Sequence, residues 1–233
     1  GCARRIEESG EQRCGRNSKA RLGIQMRSYK VIKCTQEGAA ACAKAVRDGA
    51  VVVFPTDTVY GIGCDPHNDA AVGRIFRIKG RKEDNPLPVL VHSLQVAEEL
   101  VMLDRNGRLL ANRYWPGALT LVAPLADKSI SAKVTAGKSA LAIRVPANEC
   151  ILSLLRQNRY LVGTSANRSG QKALMSAQDV LDSSLDGFDI LLDGGRVKEE
   201  IPSTIVDLAT RRVRREGAIK SDEIYSLLGE TPR

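Results

Sequence analysis

A continuous apolar run, Ala50–Phe54, ends at Pro55 and passes directly into Thr56, Asp57 and Thr58. Unbroken runs rich in β-branched residues predict a strand buried on both faces, which is typical of α/β proteins. The proline ends the strand and fixes the direction in which the chain leaves it. The hydroxyl groups that follow then lie at the end of a rigid element, where substrate contacts are commonly built. Taken alone, the same string is also typical of a plain turn.

Strand and helix patterns alternate along the rest of the chain. We predict further strands at Tyr29–Lys33, Val89–Val91, Leu119–Ala123, Leu141–Val145, Tyr160–Gly163, Ile190–Leu192, Thr204–Leu208 and Arg211–Arg215. We predict helices at Glu37–Arg47, from the cap Asn68 to Ile78, and at Val96–Leu103, Gly107–Tyr114, Glu149–Gln157, Ala177–Leu181 and Ser221–Leu228. No internal repeat or low-complexity linker divides this region. The sequence therefore predicts one α/β domain, with a twisted mixed sheet flanked by helices.

The composition excludes some classes of protein and favours others. With 233 residues, 43% of them hydrophobic, the chain can bury a substantial core. No apolar stretch of about eighteen residues is present, so no membrane span is expected. The 35 basic and 27 acidic residues give a net charge of +8, which favours polyphosphate or nucleic acid as a partner. Only 4% of the residues are aromatic, which argues against a single-strand binder that stacks bases.

The cysteines do not form a recognisable metal-binding pattern. There are six of them, none in a Cys-x-x-Cys pair, and only His67 and His92 are available as imidazole ligands, so no zinc site is expected. An even number of cysteines permits disulfides, but a chain of this length does not need them for stability. We therefore expect reduced thiols and a cytoplasmic setting. The cysteines are Cys2, Cys14, Cys34, Cys42, Cys64 and Cys150.

Residues 1–27 differ from the rest of the chain because they are basic and lack apolar periodicity. They hold seven Lys or Arg residues against three Glu residues, and no hydrophobic segment of a secretory signal. We expect a flexible N-terminal arm here, followed by one folded domain over residues 28–233. A mitochondrial transit peptide and an arm that contacts RNA phosphates are the alternatives.

Two cations flank a glycine at Lys79-Gly80-Arg81, after a predicted helix and before Asn85-Pro86. Cations placed this closely can converge on an anion such as phosphate. A basic turn at the end of a helix is equally typical of a solvated surface. Two familiar phosphate-binding signatures are excluded, because Gly61-Ile62-Gly63 lacks the third glycine of the dinucleotide fingerprint and Gly137-Lys138-Ser139 lacks the first glycine of a P-loop.

Hydroxyl groups and isolated arginines follow the other predicted strands. The segment Thr164–Asn167 carries short neutral donors and acceptors, which can contact a ribose, a phosphate or an amino-acid backbone, or close a turn. Arg144 lies within an alternating strand and must either face solvent or meet a buried anion. Ser203 precedes a further strand, and Arg215 follows it at the next turn.

Together these strings resemble the YrdC family of L-threonylcarbamoyladenylate synthases. The resemblance covers residues 29–228 and implies a twisted α/β sheet with a large basic concave cavity, in the short, single-domain form of the family. Longer relatives carry a second, carboxy-terminal domain. Seven blocks in family order carry the resemblance: Phe54–Gly63, Lys79–Leu87, Trp115–Thr120, Ala142–Pro146, Thr164–Gly170, Pro202–Asp207 and Arg215–Ile219.

The resemblance implies a nucleotidyl transfer in which L-threonine, bicarbonate and ATP give threonylcarbamoyl-AMP and pyrophosphate. Magnesium is implied with the ATP, although no protein ligands for it can be named, and no zinc is implied. A downstream threonylcarbamoyl transferase then modifies adenosine 37 of tRNA. The transferase machinery is therefore an implied partner, tRNA is a further candidate, and no membrane is involved.

The resemblance also assigns residues to three groups. The residues implied in catalysis are Lys79, Arg81, Ser165 and Asn167. Those implied in threonine binding are Thr58, Arg144, Thr164 and Ser203. Those implied in ATP binding are Arg81, Asn85, Ala166, Ser176 and Arg215.

One position departs from the family pattern, and two rival functions stay open. Some relatives carry a threonine-binding histidine where this chain has Leu90, and His92 lies two residues further on, on the same face of a strand. One rival is a non-catalytic RNA-binding module that uses the basic balance of the chain. The other is a carbamoyl-transfer factor of hydrogenase maturation, whose chains are longer and carry zinc fingers.

Overall fold

The computed structural model describes residues 29–198 and 201–229, so the predicted arm at residues 1–27 lies outside the described residues. Within them, the strands are β1 (Lys30–Lys33), β2 (Val52–Pro55), β3 (Tyr60–Gly63), β4 (Val89–Val91), β5 (Leu119–Pro124), β6 (Ala140–Arg144), β7 (Tyr160–Val162), β8 (Thr164–Ser165), β9 (Ile190–Asp193), β10 (Thr204–Asp207) and β11 (Arg212–Arg215). The helices are α1 (Gln36–Arg47), α2 (Asp69–Lys79), α3 (Leu94–Leu100), α4 (Arg105–Tyr114), α5 (Ala132–Thr135), α6 (Glu149–Asn158), α7 (Ala177–Asp182) and α8 (Ser221–Leu228).

The described strands form two mixed sheets. One has five strands in the order β1-β9-β2-β3-β8, and the other has six in the order β11-β10-β5-β6-β4-β7. Each sheet combines parallel pairs, such as β1 with β9 and β10 with β5, with antiparallel pairs, such as β2 with β3 and β5 with β6. The predicted fold class, a single α/β domain with mixed strands and flanking helices, is confirmed, although the strands divide between two sheets rather than one.

The strand β2 is buried on both faces, as its apolar run predicts. Val51 and Val53 belong to the main core, which also receives side chains from the six-stranded sheet. Val52 and Phe54 point the other way, into a second core beneath α1 and α6. Because successive residues of a strand point to opposite faces, these two cores lie on either side of the five-stranded sheet. The end of β2 is therefore fixed from both sides.

Helix ends follow the polar caps in the sequence. The Asn68 side chain accepts from the N–H of Ala71 at the start of α2, and Asn148 accepts from Cys150 and Ile151 at the start of α6. These amides would otherwise lack a partner within the helix. The predicted bounds of β4 and α8 match the structure, and most others differ by one to three residues at an end.

The cysteines correct one expectation. Cys34 and Cys150 form a disulfide, so the prediction of reduced thiols is wrong for this pair. The two residues are 116 positions apart, and they meet because α1 packs on α6 just beyond them. Cys42 and Cys64 are free and buried, and Cys2 and Cys14 lie outside the described residues. Within residues 29–198 and 201–229, none of the helices has the length and apolar character needed to cross a bilayer.

Candidate active site

The candidate site lies at one edge of the six-stranded sheet, where three neighbouring strands present polar side chains. β10 and β5 run parallel and both begin at this edge, with Ser203 just before β10 and Thr120 near the start of β5. β6 runs antiparallel to β5 and ends at this edge with Arg144. The three side chains are buried, with exposures of 6%, 4% and 7%. Rigid strands therefore hold this polar group.

Three partners fix the guanidinium of Arg144. Its Nε donates to the Gly117 carbonyl at 2.9 Å, its Nη1 to Oγ1 of Thr58 at 3.4 Å, and its Nη2 to Oδ1 of Asp57 at 2.7 Å. Burial lowers the pKa of Arg144, and the Asp57 carboxylate opposes that shift. A guanidinium has five N–H donors, so two of them stay available for another acceptor, such as a carboxylate.

Arg215, at the end of β11, joins the same group. Its Nη2 donates to the Ser203 carbonyl at 2.8 Å and to the Ser203 hydroxyl at 3.3 Å. The Ser203 hydroxyl lies 2.8 Å from Oγ1 of Thr120. Burial lowers the pKa of Arg215, and so does the positive charge of Arg144, which places the two guanidinium groups in each other's field. Two cations beside buried hydroxyl groups make a favourable position for an anion.

The loop Thr164–Asn167 reaches this group through β3. Its first two residues form β8, which pairs antiparallel with β3. The N–H of Ala166 donates to the Tyr60 carbonyl at 2.7 Å, and Tyr60 comes two residues after Thr58. The pairing of these two short strands therefore brings the loop beside the Thr56–Thr58 turn, although the two segments are about a hundred residues apart in the sequence.

Lys79 holds the loop from the other side. Its Nζ donates to the carbonyl oxygens of Ser165 and Asn167, and the Lys79 carbonyl accepts from the Ser169 N–H at 2.9 Å. Lys79 is only 3% exposed. Burial, and then the nearby charge of Arg81, lower the pKa of the Lys79 ammonium to about 8. Lys79 therefore contributes both to the shape of the loop and to the positive charge beneath it.

Arg81 and Asn85 belong to one turn. Arg81 donates from Nε to the Asn85 carbonyl at 3.1 Å and from Nη2 to the Pro86 carbonyl at 2.8 Å. Burial lowers the pKa of Arg81. Across from this turn, Asn167 uses its amide nitrogen to donate to the Gln171 carbonyl at 2.6 Å. Its Oδ1 is buried and has no hydrogen-bond partner among the described residues. A buried acceptor without a partner marks a place where a ligand donor can bind.

Ala166 and Ser176, both implied in ATP binding, lie in surroundings that differ from those of Arg81 and Asn85. Ala166 is fully buried, and its N–H donates to the Tyr60 carbonyl of β3. The Ser176 hydroxyl accepts from the Asp179 N–H at 3.0 Å, which makes Ser176 the N-cap of α7. The hydrogen bonds of the described residues connect Ser176 to α7 rather than to the other candidate residues.

Two clefts adjoin the candidate residues. The smaller, of about 390 Å³, is lined by Thr56, Asp57, Thr58, Ala118, Ala147, Asn148, Arg196, Val197 and Lys198. The larger, of about 810 Å³, surrounds the disulfide and is open to solvent. We place the candidate site at the smaller cleft, because Thr58 and Asp57, the carboxylate partner of Arg144, line it, and convergent polar groups define a site better than volume does. Asn148 lines both clefts.

His92 does not join the candidate residues. Its pKa is lowered by burial and by the charges of Arg159 and Arg156, which places its ring near α6. Leu90, on the same face of the strand, packs in the second core with Leu161. Leu90 is also paired in register with Arg144 of β6, so the two side chains lie on the same face of the sheet, whereas His92 follows β4 and has its charged neighbours at the end of α6.

Three further residues belong to the site and were not among the predicted ones. Asp57 pairs with Arg144, Thr120 bonds to Ser203, and Asn148 donates from Nδ2 to the Thr56 carbonyl at 3.3 Å. Asp57 lies in the block Phe54–Gly63 and Thr120 in the block Trp115–Thr120. For Asp57, a carboxylate between two hydroxyl side chains was the sequence feature that could have identified it. Asn148 follows Pro146 by two residues and gave only a helix-cap signal.

Comparisons with known proteins identify the family to which this chain is similar. The Sua5/YciO/YrdC family model, described as telomere recombination, matches residues 44–217. The threonylcarbamoyl-AMP synthase of Pyrococcus abyssi is 36% identical over 189 residues, which is 79% of this chain and 55% of that protein. The threonylcarbamoyl-AMP synthase of Bacillus subtilis is 36% identical over 194 residues, which is 82% of this chain and 56% of that protein.

A solved structure shows the same fold. The crystal structure of P. abyssi Sua5 complexed with L-threonine superposes with a TM-score of 0.82 and 33% sequence identity. The match covers 87% of this chain and 62% of the P. abyssi chain. The chain thus spans a little over half the length of the two synthases and about three-fifths of the superposed structure.

Proposed function

The chain belongs to the Sua5/YciO/YrdC family, and from that premise we propose that it is an L-threonylcarbamoyladenylate synthase. In this reaction L-threonine, bicarbonate and ATP give threonylcarbamoyl-AMP and pyrophosphate. The product would serve a downstream transferase that modifies tRNA. The observation that carries the proposal is the buried group of hydroxyls and guanidiniums at one sheet edge, which suits an amino acid on one side and a polyphosphate on the other.

The threonine would lie in the cleft beside Thr58. Arg144 has two N–H donors beyond those used by Gly117, Thr58 and Asp57, which suits a carboxylate. Ser203 and Thr164 would supply short hydroxyl groups for the rest of the amino acid. The amine must be a free base when it meets carbon dioxide or bicarbonate, and the resulting carbamate oxygen attacks the α-phosphorus of ATP.

The nucleotide would lie along the loop Thr164–Asn167. Arg81 and Arg215 would face its phosphates from opposite walls, and Ser165, the Ala166 backbone and Asn167 would contact it from below. Lys79 would keep the loop in shape, because it bonds two of the loop carbonyls. No covalent intermediate is required, so the barrier would fall through positioning and through donors aimed at developing charge. Asn85 and Ser176 are assigned to the nucleotide by resemblance alone.

Magnesium would enter as the ATP complex. Among the described residues no group of three or more His, Cys, Asp or Glu could hold a metal ion. The phosphate oxygens and water are therefore the expected ligands, which agrees with the way Mg²⁺ commonly binds nucleotides.

We propose further that residues 28–233 act as one catalytic domain, whose cations make the cavity basic. A cytoplasmic setting stays a prediction.

The test is pyrophosphate release from ATP and bicarbonate, measured with and without L-threonine and with L-serine as a control. We expect release that depends on L-threonine. In Arg81→Ala, release should fall by ~10²–10³ or more, because one preorganised donor to the phosphates is lost. Its circular dichroism spectrum should stay unchanged, because the hydrogen bonds of the Arg81 side chain to other described residues all go to carbonyls of its own turn. Near-normal turnover in this variant would remove Arg81 from the mechanism.

The same assay separates the synthase from an RNA-binding module. A module of that kind would bind RNA in a salt-sensitive way and would release no pyrophosphate in response to L-threonine. RNA binding without threonine-dependent release would therefore overturn the synthase proposal.

A further inference from the structure

The disulfide lies in the larger cleft, and Asn148, two residues before Cys150, lines both clefts. Cys34 and Cys150 are half-buried and line the larger cleft, so a reagent in solvent can approach the bond. The free cysteines of the described residues differ in this respect. Cys42 and Cys64 are fully buried, and burial raises the pKa of the Cys42 thiol to about 12 and that of Cys64 further. Of the four cysteines that the structure describes, the two in the disulfide are therefore the ones that a thiol reagent can reach.

One route connects Cys150 to the candidate threonine site. Cys150 is the second residue of α6, and its N–H donates to Oδ1 of Asn148 at 3.0 Å. The same Asn148 donates from Nδ2 to the Thr56 carbonyl at 3.3 Å. The Thr56 hydroxyl accepts from the N–H of Thr58 at 3.1 Å. The Asn148 side chain thus connects the N-terminus of α6 to the Thr56–Tyr60 segment by hydrogen bonds.

A second route starts from Cys34. The Cys34 N–H donates to the Asp193 carbonyl at 2.8 Å, just before Gly194 and Gly195. The Tyr60 hydroxyl donates to the Gly195 carbonyl at 2.6 Å and accepts from the Gly194 N–H at 3.3 Å. Both halves of the disulfide are therefore joined by hydrogen bonds to the same five-residue segment.

We propose that the Cys34–Cys150 disulfide is a thiol–disulfide exchange site, through which a dithiol reductant controls the order of the Thr56–Tyr60 segment. The oxidised state ties the start of α6 to the end of β1 and holds the segment from both sides. Reduction releases the tie, and the segment loses its support from Asn148. The consequence for threonine rests on the proposed function, but the consequence for the segment does not.

The exchange proceeds in two steps that balance. One thiolate of the dithiol attacks the Cys34 sulfur, a mixed disulfide forms, and Cys150 leaves as a thiolate. Cys150 suits the role of leaving group because it lies in the first turn of a helix, where a negative charge is stabilised. The second thiolate of the reagent then attacks the reagent sulfur that is bonded to Cys34, the mixed disulfide breaks, and Cys34 leaves as a thiolate. The reagent ends as a disulfide, and the protein ends with two protonated or ionised thiols.

The experiment compares the full chain before and after treatment with dithiothreitol, a small dithiol. Mass spectrometry of the peptides containing Cys34 and Cys150 reports the state of the bond. Hydrogen–deuterium exchange reports on the amides of Thr58, Val59 and Tyr60, all of which are hydrogen-bonded in the structure. Calorimetry reports L-threonine binding. We expect faster exchange at these amides and roughly two- to tenfold weaker threonine binding after reduction, as for the loss of one hydrogen bond.

Two variants serve as controls. The double variant Cys34→Ser, Cys150→Ser should resemble the reduced protein and should not respond to dithiothreitol. The variant Asn148→Ser keeps a residue that caps helices well but cannot reach Thr56, so its segment should exchange fast in both redox states. A loss of global stability raises exchange across the whole chain, so the local effect is measured as the rise at the Thr56–Tyr60 segment beyond the rise at core amides elsewhere.

The outcomes are distinct. Faster exchange with weaker threonine binding supports the proposal. Faster exchange in a protein that binds no threonine in either state supports the exchange site and overturns the proposed function. Two outcomes overturn the exchange site: a bond that dithiothreitol cannot reduce in the folded protein, or unchanged exchange at the segment. Faster exchange with unchanged affinity in a protein that binds threonine supports the exchange site and overturns its effect on threonine.

Discussion

Loss of the Cys34–Cys150 disulfide should destabilise the folded chain by a large amount. The bond joins residues 116 positions apart. In the chain-entropy treatment, closing a loop of this length removes about 16 cal/mol/K of entropy from the unfolded state, which is roughly 5 kcal/mol at 25 °C. Native disulfides commonly contribute about 2–5 kcal/mol. We therefore expect the double variant Cys34→Ser, Cys150→Ser to lose that amount of unfolding free energy.

Urea denaturation measures this loss. With a slope of about 2 kcal/mol/M, the midpoint of the transition should fall by roughly 1–2.5 M. The wild-type protein in reductant should show the same fall. Cys2 and Cys14 lie outside the described residues, and the serine variant is needed as a control because its midpoint should not respond to reductant. Equal midpoints for oxidised and reduced wild-type protein would refute the loop-entropy argument.

Three further predictions concern charged groups of the fold and site. Asp57→Ala should lower the unfolding free energy by about 3–5 kcal/mol in urea denaturation, because Arg144 is left buried without its carboxylate, and Asp57→Asn should cost less. Burial lowers the pKa of His67, but the carboxylates of Asp127 and Asp65 outweigh it and raise that pKa above its usual value. Protonated His67 should therefore add fully to the unfolding free energy below pH ~6.5, and this contribution should be lost as the pH rises through the raised pKa. The unfolding free energy of His67→Gln, measured between pH 5.5 and 8.5, should lack this pH-dependent loss. The pKa of Lys79 is about 8, so pyrophosphate release should fall on the alkaline side near that pH, and Lys79→Arg should move this limb of the pH–rate profile upward.

The parts of the fold that the sequence predicts well are those with a local cause. The apolar run before Pro55 identifies β2, and the bounds of β4 and α8 follow from short apolar patterns and caps. β3 was not predicted, because Tyr60–Gly63 contains two glycines and looks like a turn. The glycines have a non-local cause. A Cβ at Gly63 would lie 1.8 Å from the Val162 carbonyl oxygen, and one at Gly61 would meet the Phe54 ring.

The site, like the fold, has features with a local cause, which the sequence predicts, and features with a non-local cause, which it does not. The motifs predicted which segments carry hydroxyls and cations, and the structure brings Thr58, Arg144, Ser203 and Arg215 into one hydrogen-bonded or electrostatically coupled group. The sequence could not predict the partner of Arg144, because Asp57 lies 87 residues away and the pairing depends on how the two sheets pack. The disulfide was missed for the same reason, since it depends on where α1 meets α6.

The four cations of the site differ in how the protein compensates them, and that difference supports the proposed division of roles. Among the described residues, Arg144 is paired with a carboxylate, which offsets its charge in a buried position. Lys79, Arg81 and Arg215 are instead held by carbonyl oxygens of Ser165, Asn167, Asn85, Pro86 and Ser203. Carbonyl dipoles orient a cation but leave its net charge in place, so these three positive charges are not neutralised by a carboxylate. A triphosphate needs such net positive charge, whereas a zwitterionic amino acid is better matched by the neutralised pair of Arg144 with Asp57.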